Sequence, residues 1–433
     1  MGHSSSPMLN FASQKPMGAA VRILFLHNNF PAQFRDLAPA LAAIPGNEVV
    51  FATREDSRQL PGVRKVRWDP TASGAKAHSY LQELDSAVLH GQGLFRLALS
   101  LRRQGFVPDV VYGHSGWGST MFVKDAYPDA KLISYFDWYY RARGANGDFF
   151  PNRPLTIDRA CRMHMMNAPT WLDLVTADWG VVTTKWQLDQ FPKDFWPKLS
   201  LLHDGIDTKR FAPRPGQRFA IGGLDLSHVE ELVTYATRGM DPYRGFPQLL
   251  RAVAVLLRER PNCHVVIAGD GKTPYGWDPP DGQTWKEVML AELDLDLTRV
   301  HFPGVLAPHR MLELLQASAA HVYLSAPFIP SWSLFEAMSA GCVVVGSNNP
   351  PVTEVISDGH NGLLVDFFDH VALAGRISEA LERRNELGAL KAAARATIVD
   401  SVDLGAVLPR QIRMISDVLE GRRGPDIEAA VAS

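Results

Sequence analysis

Cysteine is scarce in this chain: the three residues present among 433, Cys161, Cys263 and Cys342, lie far apart. That spacing excludes a disulfide framework and a cysteine-based zinc site, and a reducing cytoplasm is the simplest setting. Neither sign of charge is in excess, with 44 Lys and Arg against 46 Asp and Glu. The net charge of −2 gives no general pull toward nucleic acid or an anionic membrane. No apolar run approaches the length that spans a bilayer. Two facing carboxylates at a hydrolytic spacing are not evident, which leaves glycosidase chemistry without support. Internal repeats are also lacking. Residues 1–20 are Ser-rich without a continuous apolar stretch and read as a disordered lead rather than a signal peptide. What remains, 46% hydrophobic and 21% charged, is the composition of an ordinary soluble globular protein, and the length predicts two domains.

Two series of apolar strands alternating with helical patterns fill the rest of the chain. The first series predicts strands at Val21–His27, Glu48–Thr53, Asp109–Gly113, Lys131–Phe136, Gly180–Thr183 and Leu199–Leu202, with a long helix over Tyr80–Gln104. The second predicts strands at Val233–Ala236, Val265–Ala268, Val300–Phe302, Val322–Leu324, Val343–Val345 and Leu363–Val365. Its helices are expected at Phe246–Arg260, Trp285–Leu293 and Pro308–Ala317, and a final one at Ala406–Leu419. Continuous apolar strands between helices imply parallel sheets covered on both faces, an α/β architecture. The Pro/Gly-rich segment Phe211–Gly223 marks the joint. The expected division is a first domain over 21–210, a linker over 211–230, a second domain over 231–395 and a C-terminal segment over 396–433.

The stretch Ser318–Asp366 is the most informative. An apolar strand leads through a loop into a short helix carrying one acid, Glu336, then through Ala340–Gly341 into a second apolar strand. A carboxylate on the first turns of a helix that follows a parallel strand sits where open α/β sheets bind ligands. Upstream, Tyr235–Gly245 ends a strand and carries Arg238 and Arg244 ahead of a helix, and a diphosphate needs such cationic forks. Solvated surface arginines are the plainer reading of either one alone. Ser331–Leu334 opens the Glu336 helix, so free backbone N–H groups and the helix dipole point there at an anion; Ser331 is an N-cap in either reading. Gly269-Asp270-Gly271 follows a strand but fails the dinucleotide fingerprint, because the sixth position is Pro274.

In the first half, His114 ends a strand and is expected to face a cleft; a structural histidine bonded to backbone is the alternative. Gly113-x-Ser115 in the same turn resembles a serine-hydrolase nucleophile elbow, but Trp117 stands where that motif needs a second glycine. Asn29 and Gln33, in the turn after the first strand, suit a hydroxyl-bearing acceptor or shape the turn. The aromatic segment Ser134–Gly144 presents Asp137 and Tyr139, either for sugar recognition or as a half-buried packing loop. Met163–Trp171 with Phe191–Trp196 fits core packing better than contact with a lipid-linked acceptor.

Phe335-Glu336-Ala337-Met338, Ala340-Gly341-Cys342-Val343-Val344, Pro351–Ile356 and Asn361–Val365 together resemble the donor half of a family 4 retaining glycosyltransferase. The resemblance covers most of residues 21–420 and is strongest from Val233 to Asp366. It implies the GT-B fold, two doubly wound domains facing a cleft, with the last helix crossing back to the first domain. It also implies transfer of a sugar from a UDP- or GDP-linked donor to a hydroxyl of a glycan, glycolipid or small molecule, with no metal and no other cofactor. Glu336 would hold the ribose hydroxyls, and the amides of Ser333 and Leu334 the β-phosphate. Arg238 and Arg244 would neutralise the diphosphate, Arg244 standing where the family has Lys. Gly269, Gly271, Val305 and Leu306 would flank the base, and His114 would orient the sugar. The motif places a further acid eight residues ahead of Glu336, in contact with the sugar; here that position is Phe328. Either another group supplies the contact, or the chain is a nucleotide-sugar binding protein with weakened or no catalysis. A cytoplasmic protein, peripheral at most to the inner membrane face, is the expected location.

Overall fold

The computed structural model describes residues 20–55, 59–72 and 77–422; the expected lead over 1–20 lies, apart from Ala20, outside them. A seven-stranded parallel sheet forms from β1 (Arg22–Leu26), β2 (Glu48–Thr53), β3 (Val63–Arg67), β4 (Val110–His114), β5 (Lys131–Tyr135), β6 (Trp179–Val182) and β7 (Leu199–Leu201), in the order β3-β2-β1-β4-β5-β6-β7. β1 is apolar throughout because both faces are covered. Ile23 and Phe25 enter one core layer, Leu24 and Leu26 the other, as the two-residue strand period requires. The long helix Gln82–Arg103 seals the second layer with Leu94, Ala98 and Leu101. β3 is not legible from apolar runs: its sequence VRKVR is mostly basic, which suits a sheet edge exposed to water.

A short antiparallel hairpin, β8 (Ala220–Ile221) with β9 (Leu224–Asp225), follows. It lies within the segment expected to be a linker, where Phe219, Leu226 and Val229 are buried in a second-domain cluster. The second sheet contains β10 (Glu231–Gly239), β11 (Cys263–Asp270), β12 (Val300–Gly304), β13 (Ala320–Tyr323), β14 (Val344–Ser347) and β15 (Leu363–Val365), in the order β12-β11-β10-β13-β14-β15. All its pairings are parallel. The strand order reverses between β1 and β4 in one sheet and between β10 and β13 in the other, and such switch points are where open α/β sheets bind ligands.

The last helix, Leu404–Leu419, places Leu404, Val407, Leu408, Met414, Ile415 and Val418 in the first sheet's core. This helix thus returns from the second domain to the first. Among the described residues no helix is long and apolar enough to cross a membrane.

Candidate functional site

The two switch points face a common cleft of about 910 Å³. On the second-domain side, β10 delivers Arg238 to it. The next turn is built by Asp241, whose carboxylate accepts from the Tyr243 and Arg244 amides at 2.8 and 3.3 Å. Gly245 then takes a left-handed conformation (φ 69°), and a Cβ there would stand 2.5 Å from the Leu324 Cβ, so only glycine lets the turn lie against β13. This puts the Arg244 side chain, 7% exposed, under the loop that follows β13. Its Nη1 donates to Ser325 Oγ at 2.9 Å and to the Ile329 carbonyl at 3.0 Å, and its guanidinium lies 4.9 Å from the Tyr275 ring centroid.

Ser331 caps the helix Trp332–Ser339, its Oγ accepting from the Ser333 amide at 3.2 Å. Arg238, Arg244, Tyr275, Ser331 and Ser333 line one small recess. Glu336, one turn further on, lines the cleft with 15% of its side chain exposed. Burial raises its carboxyl above the usual range, while Arg35 and Arg210 pull the other way; Arg35 Nη2 lies 3.9 Å from Oε1. The group assembles because the loops after β10, β11 and β13 leave neighbouring strands of the second sheet at the same end.

Several expected residues lie elsewhere. His114 is 3% exposed and does not line the cleft, because Trp117 stacks on its ring at 3.9 Å between centroids and takes that place. Asp137 lines the cleft, 3.7 Å from His114 Nε2, but Tyr139 turns away into a core cluster with Phe136 and Phe191 and accepts from the Trp171 indole. Leu334 is fully buried and lines neither the recess nor the cleft, and its amide, expected to meet a phosphate, donates to the Ser331 carbonyl as part of the helix's first turn. Gly269 and Gly271 are not among the lining residues; Gly269 lacks a side chain because a Cβ would stand 2.4 Å from the Thr237 carbonyl. Tyr275 of the same loop reaches the cleft instead. Val305 is 74% exposed to solvent, whereas Leu306 lines the cleft, as do Asn29 and Gln33. Ser115 is buried and does not line the cleft, its hydroxyl donating to the buried Asp173 carboxylate at 2.7 Å, so it is not presented to a substrate as a nucleophile must be.

Phe328 also leaves the cleft. Its ring packs edge-on against Trp138 (4.9 Å) and Tyr243 (5.8 Å), and its carbonyl accepts from the Trp186 indole at 3.1 Å. Trp138 and Trp186 belong to the first domain, so the side chain is part of an aromatic seam joining the two. Glu354 adds to the same junction by accepting the Lys185 and Trp186 amides at 2.8 and 2.7 Å, at the start of a first-domain helical turn.

Sequence reasoning missed His27, Arg35, Asp204 and Trp332. His27 and Asp204 follow first-sheet strands, and the rule that singled out His114 applies equally to them. Asp204 Oδ2 accepts from the Trp332 indole at 2.8 Å and from the Tyr135 hydroxyl at 3.2 Å, bridging the domains. Desolvation outweighs these bonds and pushes its carboxyl up to about 7. The unfolded chain releases that proton near pH ~4, so between about 4 and about 7 the folded state holds the extra proton, and stability falls as pH rises through that window. Asp204→Asn is expected to flatten this part of the stability–pH curve, read from thermal unfolding at a series of pH values. Identical slopes in both proteins would assign the proton elsewhere.

A sequence model described as "Glycosyl transferase family 4 group" matches residues 45–211, and one described as "Glycosyl transferases group 1" matches residues 227–397. The two fall on the two sheets in turn. The chain belongs to the family 4-like GT-B glycosyltransferases. This GT-B chain is similar to the D-inositol 3-phosphate glycosyltransferase of Streptomyces avermitilis, 28% identical over 52% of this chain and 51% of that one. A mannosyltransferase of Mycolicibacterium smegmatis, described as GDP-mannose-dependent and acting on phosphatidylinositol monomannoside, is 24% identical over 59% of this chain and 66% of its own length. The chain spans about half the length of the inositol-phosphate relatives it matches. In fold it is similar to Anabaena HepE, crystallised with UDP-glucose (TM-score 0.67, 15% identity, 92% of this chain and 100% of that one). Sucrose-phosphate synthase of Thermosynechococcus elongatus is comparably similar (TM-score 0.68, 16% identity, 93% and 100%).

Proposed function

We propose that the protein is a hexosyltransferase that moves a sugar from a nucleoside diphosphate-sugar to an acceptor hydroxyl, with retention at the anomeric carbon and without a metal. The observation that carries this reading is the recess where Arg238, Arg244 and the capped start of the Trp332–Ser339 helix converge, with Glu336 one turn away. Two guanidiniums and a helix amino terminus suit a diphosphate, and a partly buried carboxylate suits a pair of ribose hydroxyls. Among the described residues no cluster of three His, Cys, Asp or Glu side chains is placed to hold a metal ion. The arginines take up the charge that a cation would otherwise neutralise.

In the reaction the acceptor oxygen bonds to the anomeric carbon as the bond from that carbon to the diphosphate oxygen breaks. The hydroxyl proton passes to the departing diphosphate, and Arg238 and Arg244 stabilise the charge that grows there. The acceptor is a glycan, a glycolipid or a small polyhydroxy molecule.

A thermal-shift screen of UDP, GDP and ADP and their sugars identifies the donor, since a ligand held only by the folded state raises apparent stability. Glu336→Ala is then expected to weaken that nucleotide by about 1.5–3 kcal/mol, roughly 10- to 150-fold. Titration calorimetry reads the loss, and unchanged affinity in a folded variant would remove the site assignment. Placement of Phe328 outside the cleft keeps a second reading in play, a binding protein that holds the nucleotide-sugar without turning it over. Donor binding with neither transfer nor slow donor hydrolysis would favour it.

A further inference from the structure

The segment between β5 and the helix Ile157–Met166, residues 136–156, leaves the first sheet and packs into the second domain. Its start is tied to the first domain. The Tyr140 amide donates to the Asn167 side-chain carbonyl at 2.7 Å, the Asn167 amide group donates back to the Tyr140 carbonyl at 2.9 Å, and Arg141 Nε donates to the Gln190 carbonyl at 2.8 Å. Asp148 then accepts the Gly144 amide at 3.0 Å, which folds the tip of the segment and presents Phe149 and Phe150. Phe150 is 4% exposed and lies in the second domain's core cluster, its ring centroid 5.3 Å from Tyr243 and 4.9 Å from Trp277. Phe149 packs on Phe367 and Phe368 at 5.0 and 4.9 Å. Asn146 Nδ2 donates to the Tyr243 hydroxyl at 3.2 Å, and the Arg153 guanidinium lies 4.5 Å from the Trp277 ring centroid.

Two of those partners belong to the loops that build the diphosphate recess. Tyr243 immediately precedes Arg244, and Trp277 lies two residues after Tyr275. The loop over residues 271–284 is rich in Pro and Gly and has one short helical turn of its own, Pro280–Gly282, so its shape depends on what packs against it. From the second domain the Tyr275 amide donates to Asp241 Oδ2 at 3.2 Å and the Trp285 indole to the Trp277 carbonyl at 2.7 Å. From the first domain Phe150 and Arg153 cover the Trp277 ring. The same plug braces Tyr243, whose amide shares the Asp241 carboxylate with that of Arg244.

We propose that Phe150 is a positioning residue for the donor: seated between Tyr243 and Trp277, it fixes the two loops that set Arg244 and Tyr275 at the diphosphate. The proposal rests on the transferase reading above and adds that the donor recess of the second domain takes its working shape only with this first-domain segment docked.

The test uses the full chain and the nucleoside mono- and diphosphate of the base found in the nucleotide screen, their affinities read by titration calorimetry. Misplacing a positioned group by about 1 Å costs up to ~100-fold, so Phe150→Ala is expected to weaken the diphosphate about tenfold while the monophosphate changes little. Phe150→Leu refills the socket and is expected to restore diphosphate affinity to within about threefold. In a Tyr275→Ala background Phe150→Ala is expected to cost little more, because both changes act through one contact. Asn146→Ala, which removes only the bond to Tyr243, is expected to act in the same direction as Phe150→Ala and serves as the second variant should that protein fold poorly. A lowered Tm with an unaltered ratio of diphosphate to monophosphate affinity in both variants would make the segment a tie between domains and overturn the proposal. Additive losses in Phe150→Ala and Tyr275→Ala would overturn it too. No diphosphate binding by the unaltered chain counts instead against the transferase reading.

Discussion

Arg244→Ala is expected to lower turnover by about two to three orders of magnitude, the loss of roughly 2.7–4 kcal/mol that follows removal of one preorganised charge partner in a desolvated site. Arg244 is 7% exposed and its guanidinium is fixed by Ser325, by the Ile329 carbonyl and by the face of Tyr275. On the proposed function it would therefore meet developing diphosphate charge without having to reorganise. Arg244→Lys keeps the charge but loses the planar fork and should retain part of the activity. Single-turnover rates, with parallel affinities for nucleoside mono- and diphosphate, read the effect. The two ligands should separate: binding of the diphosphate weakens and that of the monophosphate changes less. Equal losses for both would place Arg244 outside the β-phosphate contact.

Phe328→Glu restores an acid at the position where the family motif has one, and is nevertheless expected to be harmful. In this chain the ring lies in the seam with Trp138, Tyr243 and Tyr275, at centroid distances of 4.9, 5.8 and 6.1 Å. Phe328 is half-buried there, so a carboxylate loses the ring packing and is partly desolvated, at a cost of about 1–3 kcal/mol in stability. Thermal unfolding should show a marked drop in Tm, and turnover should fall because the junction that sets the two halves of the cleft is weakened. Phe328→Leu should be milder, since it changes shape without burying charge. Raised turnover in Phe328→Glu with Tm unchanged would return position 328 to the sugar pocket.

Apart from the basic edge strand β3, the strands of both sheets were legible because each rests on local patterning. Apolar runs such as RILFL and VVFAT alternate between two core layers whatever the rest of the chain does. The Arg238–Gly245 turn and the Ser331–Glu336 helix start were legible for the same reason, each being a contiguous motif whose side chains emerge at one strand end. Loops carry no such period. In the segment after β5, Asp137 and Tyr139 were equally plausible cleft residues, and only packing against Phe191 and Trp171 turned Tyr139 inward.

By itself, then, the sequence determined the order of the apolar strands, the two-sheet architecture and the contiguous Arg238–Gly245 and Ser331–Glu336 motifs of the second half. Tertiary structure alone decided the contacts that close the cleft. Asp204 to Trp332, Arg35 to Glu336, and Glu354 to the Lys185 and Trp186 amides join residues 128 to more than 300 positions apart in the chain. Each depends on how two separately folded sheets are set against each other. No local periodicity records that orientation, because it is fixed by the fit of two surfaces, and the last helix, packed on the first sheet, belongs to that fit.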